Sequence, residues 1–480
     1  MVSSDGLLLT FYGDDFTGST DAMESLARAG IRTILFLKPP TPEVLAGFEG
    51  VGAVGVAGDS RAMPPEDMDR TLPEAFSRLK DLGAPLFHYK VCSTFDSSPE
   101  IGSIGRATDL GQEIFASPFV PLVVGAPRLG RYTVFGNHYA RSGVDGKIYR
   151  LDQLGPMRNH PVTPMLESDL RLHLSEQTAK EIELFDILQL EGDGADTEER
   201  LRAMLEGGPE IVLFDVLYDE QLSTLGELMW NGASRETPLF VVGSSGVEYA
   251  LTAHWRATGE LAEPQEFEDA GAVEQVLAVS GSCSPVTDGQ IGRAIEHGFV
   301  DVPLDPARLV DPEEARGESE AAVEKMLDEL QRGNSVIAHT CRGPDDPRRE
   351  ATAKRLESLG YEGLAAKLKG GRILAEATGG ILQAVLGRSD VRRVAVAGGD
   401  TSSYIASGLD IQAVEMIAPA APALPCAGST RKVGPWRGWR SSSRADRWAA
   451  RTFSWTCYEA RPKTPSEEVD DERSRFRRCR

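Results

Sequence analysis

Apolar runs that alternate with helical segments predict an α/β protein, built as two layered domains with largely parallel sheets and a cleft between them. Two further observations support this class. The runs are almost unbroken, as strands covered on both faces require. A length of 480 residues, with Gly 49 and Pro 29, leaves room for two or three loop-rich domains.

"LLLTFYG" reads as a first strand. "STDAMESLARAG" reads as a helix, with Ala22, Leu26 and Ala29 at helical spacing and Gly30 as its stop. Further strands are "RTILFL" (32–37), "VGAVGVAG" (51–58), "PLFHYKV" (85–91), "PLVVGAP" (121–127), "EIVLFDVL" (210–217) and "PLFVVGSSG" (238–246). After His160, Thr163-Pro164-Met165 predicts a helix start with Pro at its first position. The acidic stretch 258–275 lacks a clean period and reads as a linker. A second α/β unit follows: "VLAVSGS", "NSVIAH" (334–339), a helical stretch near 349–386 and "RRVAVAGG".

The formal charge of −22 argues against nucleic acid as a partner, because phosphate binding wants basic surface. No apolar run reaches the length of about 18–20 residues that crosses a bilayer. The N-terminus has no basic region and meets carboxylates too early for a signal peptide, so the expectation is a cytoplasmic protein with no membrane partner. Six cysteines without CxxC spacing disfavour disulfides and structural zinc. A homo-oligomer is compatible with all of this.

Ligands in open α/β sheets bind where strands end and helices begin, and four such loops carry chemistry. "YGDDFTGSTD" puts Asp14, Asp15 and Asp21 beside a helix N-terminus; one Asp suffices for a cap, and two adjacent ones exceed it. Carboxylates there suit orienting or deprotonating an attacking hydroxyl. "HYKVCSTFDSSPEIGSIG" sets Lys90 before Ser93 and Thr94, and Arg61 in "GDSRAM" is a second cation. Either cation could equally be an ordinary surface residue. "VSGSCSPVTDGQI" presents Ser282 and Ser284 in a small-residue turn that exposes backbone N–H groups, a shape that holds phosphate. It is neither a Walker A loop nor GxGxxG, which disfavours an oxidoreductase with a dinucleotide cofactor. "VAGGDTSSYIASG" offers Gly398 and Gly399 for close backbone approach, Thr401 as a cap, and Asp400 for Mg2+ through water.

Taken in order, "GDDFTGSTDAM", "HYKVCSTFDSSPEIGSIG", "HPVTPMLESDL", "VGSSGVEYAL", "VSGSCSPVTDGQI" and "AGGDTSSYIASGL" resemble the four-carbon acid sugar kinase family, which includes the 3-oxo-tetronate kinases. The resemblance implies an acid-sugar domain over 1–257, the linker 258–275 and a nucleotide domain over 276–425. It implies transfer of the ATP γ-phosphoryl across the cleft with Mg2+. Asp14, Asp15, Arg61, Lys90, Ser93 and Thr94 would surround the acid sugar, with Asp14 or Asp15 catalytic. Ser282, Ser284, Gly398, Gly399, Asp400 and Thr401 would meet ATP. Where many members carry a Lys-Lys-x-Asp-Ser-Thr-x-Arg pattern, this chain has "YKVCSTFDS", so Phe95 and Asp96 replace polar and basic character.

The family also ends on a Gly-rich motif resembling Leu-Lys-Gly-Gly-Gln-x-Gly, absent here. Instead, from Cys426 onward there are 14 Lys/Arg against 7 Asp/Glu and four of the six Trp, so the first 425 residues carry −29. The anomalous segment 426–480 has no coherent apolar period and is expected to lack order. Read one nucleotide out of frame, with codons TCA-AGG-GCG-GAC-AGG-TGG-GCG opening Ser443–Ala449, the stretch to Ala460 becomes Leu-Lys-Gly-Gly-Gln-Val-Gly-Gly-Glu-Asp-Phe-Leu-Leu-Asp-Val-Leu-Arg-Gly. That restores the motif, and places a frameshift near Pro425. Without the motif the protein would be an impaired kinase or, alternatively, a catalytically inactive acid-sugar binder. Sequencing the locus should reveal the shifted frame. An uninterrupted frame, matched by tail peptides from the native protein, would overturn a sequencing error.

Overall fold

Unbroken apolar runs become strands covered on both faces. The structure, a computed structural model, describes residues 6–142, 145–160, 162–192, 194–261, 267, 272–398, 401–402, 405–406, 411–421, 424–430 and 452–456. The strands of the first half are β1 (Leu9–Gly13), β2 (Thr33–Phe36), β3 (Ala53–Ala57), β4 (Leu86–Lys90), β5 (Val120–Val123), β6 (Arg131–Val134), β7 (Asn137–Arg141), β8 (Ile148–Arg150), β9 (Ile182–Phe185), β10 (Ile211–Phe214) and β11 (Leu239–Gly243). Those of the second are β12 (Val276–Ser280), β13 (Val300–Pro303), β14 (Val336–His339), β15 (Arg393–Ala397), β16 (Ala413–Ala421), β17 (Leu424–Thr430) and β18 (Thr452–Thr456).

Fifteen of these form one sheet, in the order β13-β14-β12-β15-β18-β17-β16-β2-β3-β1-β4-β11-β5-β10-β9. Both ends are parallel: β2 through β9 on one side, β13 through β15 on the other. The halves meet through β16, antiparallel to β2 with Ala413 opposite Phe36 and Glu415 opposite Ile34. Arg32 forks onto Glu415 at 2.7 and 3.0 Å beside that join.

Alternation along each strand feeds two cores. Leu9 and Phe11 of β1 and Leu86 of β4 face one, which continues into Leu277 and Val279 of the second half. Tyr12, Phe87 and Tyr89 face the other, an aromatic cluster with Phe76, Phe115 and Phe240. At Gly111 on the Ile104–Phe115 helix, any Cβ would overlap the Phe240 ring.

The structure departs from the sequence reading at three points. No helix starts at Thr163; residues 162–168 are irregular, because His138 donates its N–H to the Ser168 carbonyl at 2.8 Å and pins the segment beside β7. The helix begins only at Leu170, capped by the Asp169 carboxylate. His160 is a local contact, receiving the Thr163 N–H on Nδ1 at 3.0 Å. The stretch near 349–386 is two helices, Pro347–Ser358 and Gly363–Arg388, parted at Gly360, whose φ of 88° is the left-handed conformation that ends helices. Third, β6, β7 and β8 form a separate antiparallel sheet. Of the linker, Leu261 and Phe267 pack on the core, while 262–266 and 268–271 lie outside the described residues. Of the tail, β18 and the last residues of β17 are strands; the rest lies outside the described residues. Among the described residues no helix is long and apolar enough to cross a membrane.

Substituting Gly111→Ala should force the Phe240 cluster apart and cost about 1–3 kcal/mol. A lowered chemical denaturation midpoint measures it; an unchanged midpoint would show that the helix slides freely.

Candidate active site

Parallel register brings distant residues to one edge. Gly13 at the end of β1 lies opposite Ala57 of β3 and Lys90 of β4, and Lys90 lies opposite Gly243 of β11. Four neighbouring strands thus release their loops together, carrying Asp14 and Asp15, Arg61, Lys90 and Ser245.

Arg61 sits on a 3-10 turn, Ser60–Ala62, fixed by its own N–H on the Asp14 carbonyl at 3.0 Å. Its guanidinium forks onto Asp14, Nε to Oδ2 at 3.1 Å and Nη2 to Oδ1 at 2.8 Å, while Nη1 donates to Asp15 Oδ2 at 2.8 Å. The other Asp15 oxygen caps the Phe16–Arg28 helix, accepting the Gly18 N–H at 2.7 Å. Asp15 is therefore both a cap and a partner of Arg61. Lys90, buried, donates to the Val91 carbonyl at 3.1 Å and lies 3.6 Å from Asp21 Oδ2. Asp21 also receives the Ser245 hydroxyl. Behind Lys90, His88 Nδ1 meets Glu248 Oε1 at 2.7 Å, both fully buried. A Cβ on Gly18 would stand 2.7 Å from Asp15 Oδ1 and 3.3 Å from Lys90 Nζ, so that helix turn closes on the cluster.

Burial pushes the Asp14 carboxyl up to about 6, with Asp15 adding to the rise while Arg61 and Lys90 oppose it. Burial also raises Asp21, against Lys90 and Ser245. For Lys90, burial works to discharge the amine, but Asp21 and Glu248 outweigh it and hold the ammonium above its ordinary value. Arg61 keeps two of its five N–H donors beyond those that the carboxylates use. Lys90 has donor capacity left as well. A small hydroxy acid can therefore meet both donors and carboxylates here.

Ser93 and Thr94 are adjacent to this cluster in the chain, yet point elsewhere in their recorded bonds. The Ser93 carbonyl meets His138 Nε2 at 2.8 Å, and the Thr94 hydroxyl lies 2.9 Å from Cys92 Sγ. In the same loop Phe95 is buried at φ 55°, a conformation L-residues rarely adopt. Asp96 Oδ1 is buried with no hydrogen-bond partner among the described residues.

In the second half, the Ser284 side chain caps the Pro285–Glu296 helix, accepting the Val286 N–H at 3.0 Å, and Ser282 Oγ lies 2.9 Å from Thr287 Oγ1. The neighbouring loop touches them. A Cβ on Gly281 would overlap Thr401 Oγ1, and one on Gly398, at φ 117°, would lie 3.3 Å from Ser282 N. Ser282, Gly398 and Thr401 are thus brought together at the ends of β12 and β15, which pair directly. Gly399 and Asp400 lie outside the described residues. Sequence reasoning passed over Ser245 and Glu248, although "VGSSGVE" obeys the same strand–loop–helix rule that singled out the other loops.

Two strand-end sites on one α/β sheet, one of acids and cations and one of glycines and hydroxyls, define a small-molecule phosphotransferase. Residues 9–251 match the model of a sugar-binding N-terminal domain, and residues 277–442 that of a nucleotide-binding C-terminal domain. The chain belongs to the four-carbon acid sugar kinase family. It is similar to the 3-oxo-isoapionate kinase of Paraburkholderia graminis, 47% identical over 92% of this chain and 90% of that one. It is also similar to a 3-oxo-tetronate kinase of Cupriavidus necator, 29% identical over 87% and 90%. Its fold is that of a Salmonella typhimurium protein described as a putative tRNA synthase, with TM-score 0.69, 21% identity and coverage of 97% and 99%. A Haemophilus influenzae protein also shares it, with TM-score 0.63, 20% identity and coverage of 97% and 100%.

Replacing Arg61 by Ala leaves two neighbouring buried carboxylates uncompensated. Stability at pH 8 should fall by roughly 3–5 kcal/mol. Without Arg61 the Asp14 carboxyl rises further, so the variant takes up its proton above the value of about 6 held in the parent, and the deficit should shrink as pH falls toward 6 and level off below it. Denaturant titrations across pH measure this; a deficit that is constant with pH would show that the Arg61 fork does not control those charges.

Proposed function

We propose that this kinase transfers the ATP γ-phosphoryl to a hydroxyl of a small 3-oxo sugar acid, a four-carbon 3-oxo-tetronate or the branched 3-oxo-isoapionate, the latter being the first substrate to test. The observation that carries this reading is the 47% identity with a 3-oxo-isoapionate kinase, against 28% and 29% with two 3-oxo-tetronate kinases. The Arg61–Asp14–Asp15 cluster supports it chemically. Arg61 and Lys90 offer donors to the acid's carboxylate, and Ser93 and Thr94 follow Lys90 in the chain as the adjoining hydroxyls to test. Asp14 or Asp15 orients or deprotonates the attacking hydroxyl.

ATP would lie along the loops of Ser282, Ser284, Gly398, Gly399, Asp400 and Thr401. Gly281 and Gly398 fit that role, since neither position has space for a Cβ without disturbing the facing loop. Mg2+ neutralises phosphate charge when bound, and Asp400 is the candidate to hold it. The reaction suits a cytoplasmic enzyme that meets ATP and a small acid.

A second reading, an acid-sugar binder that has lost turnover, is favoured by the tail. The nucleotide-domain match runs past Pro425 but ends at residue 442, just before the stretch that would carry the Gly-rich motif in the other frame. Each lost phosphate contact would cost about 1.5–3 kcal/mol, and about 1.4 kcal/mol is a factor of ten in affinity.

ADP release should be followed for the chain as it stands and for one with the frame restored, with Mg-ATP and 3-oxo-isoapionate, 3-oxo-tetronates, erythronate and threonate. The restored chain should turn over a 3-oxo acid. Its kcat/KM should fall as pH drops through about 6, where Asp14 protonates. Asp15→Asn should lower kcat by about 10²–10⁴-fold; full turnover would remove Asp15 from the chemistry. Silence of a folded restored chain on every acid would favour the binder, and equal activity of both chains would absolve the tail.

A further inference from the structure

A second set of reactive side chains stands at the strand ends of the nucleotide half. β12 and β14 are parallel neighbours with Ser280 opposite His339, and Thr340 donates its N–H to the Ser280 carbonyl at 3.1 Å. The two strands release their loops side by side, one carrying Cys283 and the other Cys341. The two thiols stand close enough for each to act on the other's ionisation.

Their surroundings differ. Cys283 is exposed, whereas Cys341 is buried with its Sγ 3.1 Å from the Gly343 carbonyl oxygen. The neighbouring Cys341, helped by the charges of Arg349 and Arg348, brings the Cys283 thiol down to about 7 against the effects of burial and Asp346. Cys283 and burial push Cys341 far up. An accessible thiolate beside a protected second thiol is the arrangement of an oxidant-sensing pair.

We propose that Cys283 and Cys341 are a redox pair, with Cys283 the attacking and Cys341 the resolving sulfur, closing a reversible disulfide between the β12 and β14 loops. Hydrogen peroxide is the oxidant. The Cys283 thiolate attacks one peroxide oxygen, the O–O bond breaks, and the departing hydroxide takes a proton to leave as water. Cys283 is then a sulfenic acid. The Cys341 sulfur displaces its hydroxyl, which leaves as a second water with the Cys341 proton. Two thiols are oxidised and one peroxide is reduced to two waters; a dithiol reductant reverses the bridge.

The bridge would hold Cys283 between Ser282 and Ser284, in the loop against which Gly398 packs. Its effect on ATP rests on the reading of that loop as a nucleotide contact, so the test has two arms. In the first, the full-length chain is exposed to a few equivalents of peroxide, alkylated, digested without reductant and mapped by mass spectrometry. A Cys283–Cys341 peptide pair, removed by dithiothreitol and absent in both Cys341→Ala and Cys341→Ser, is the expected result. Oxidation falling first on Cys92 or a tail cysteine, or Cys283 ending as a sulfinic acid with Cys341 still alkylatable, would overturn the pair. In the second, ATP affinity of the frame-restored chain is measured before and after oxidation. At least a tenfold, reductant-reversible weakening supports control of the nucleotide loop. A disulfide that leaves ATP affinity unchanged keeps the redox pair and removes the loop from the nucleotide site.

Discussion

The guanidinium of Arg61 is bound by three hydrogen bonds to two carboxylates that follow one another in the chain, and much of the first half is arranged around that fact. Two buried acids side by side repel, and each loses hydration on folding. A planar cation that reaches both is the arrangement that lets the pair persist, and Arg supplies the fork where Lys would supply a point charge. The backbone is shaped to hold it. Gly102, at φ 63°, passes so close to the Arg61 carbonyl that a Cβ would lie 2.5 Å from it, and its N–H anchors on the Met63 carbonyl at 2.8 Å. The Ile104–Phe115 helix, which begins two residues later, is therefore tied to the position of the cation.

Charge around the cluster also limits what it can accept. Asp14, Asp15, Asp21 and Glu248 face Arg61 and Lys90, so the acids outnumber the bases. An entering carboxylate must engage the spare N–H donors, and the raised Asp14 marks where a proton relieves the excess. A small hydroxy acid, as proposed, would bring hydroxyl donors for the carboxylates along with its own charge.

The buried parallel strands were legible because each is an unbroken apolar run, and their loops were legible because function collects at strand ends. Asp14, Asp15, Arg61 and Lys90 come together in this way, from three segments that sequence could not place beside one another. The antiparallel β6–β7–β8 sheet was not legible. "RYTVFGNHYAR" mixes polar and aromatic residues, and its turn uses Phe135 and Gly136, both at positive φ, where Asn-Gly would have signalled a hairpin. That turn is fixed from afar, by Asp215 accepting the Phe135 and Gly136 N–H groups at 2.5 and 3.0 Å. No local pattern encodes a partner 80 residues away. The false helix at Thr163 has the same origin, a local Pro signal overruled by pairing to β7. Glu248 was hidden because its partner is a histidine inside a strand.

The way the halves share one sheet bears on what a defective tail can damage. Every group of the acid cluster comes from residues 14 to 248, and the strands that position it pair among themselves. In the sheet the strands of the second half join those of the first through β16, whose bonds to β2 involve Ala413 to Glu415, while the Phe16–Arg28 helix of the acid cluster also touches β17 and β18. Those residues precede the composition break at Cys426. An altered reading frame beyond Pro425 leaves the residues of the acid cluster and the β16–β2 pairing unchanged, but it replaces the β17 residues that pair with Ala413–Glu415 and the strands that touch the Phe16–Arg28 helix. Its effect falls on strands beside β15, the element that carries Gly398 into the nucleotide loop. On the proposed division of roles, with the acid at the ends of β1, β3 and β4 and ATP at the ends of β12 and β15, the altered residues stand nearer the nucleotide loop, so turnover should suffer before acid binding does.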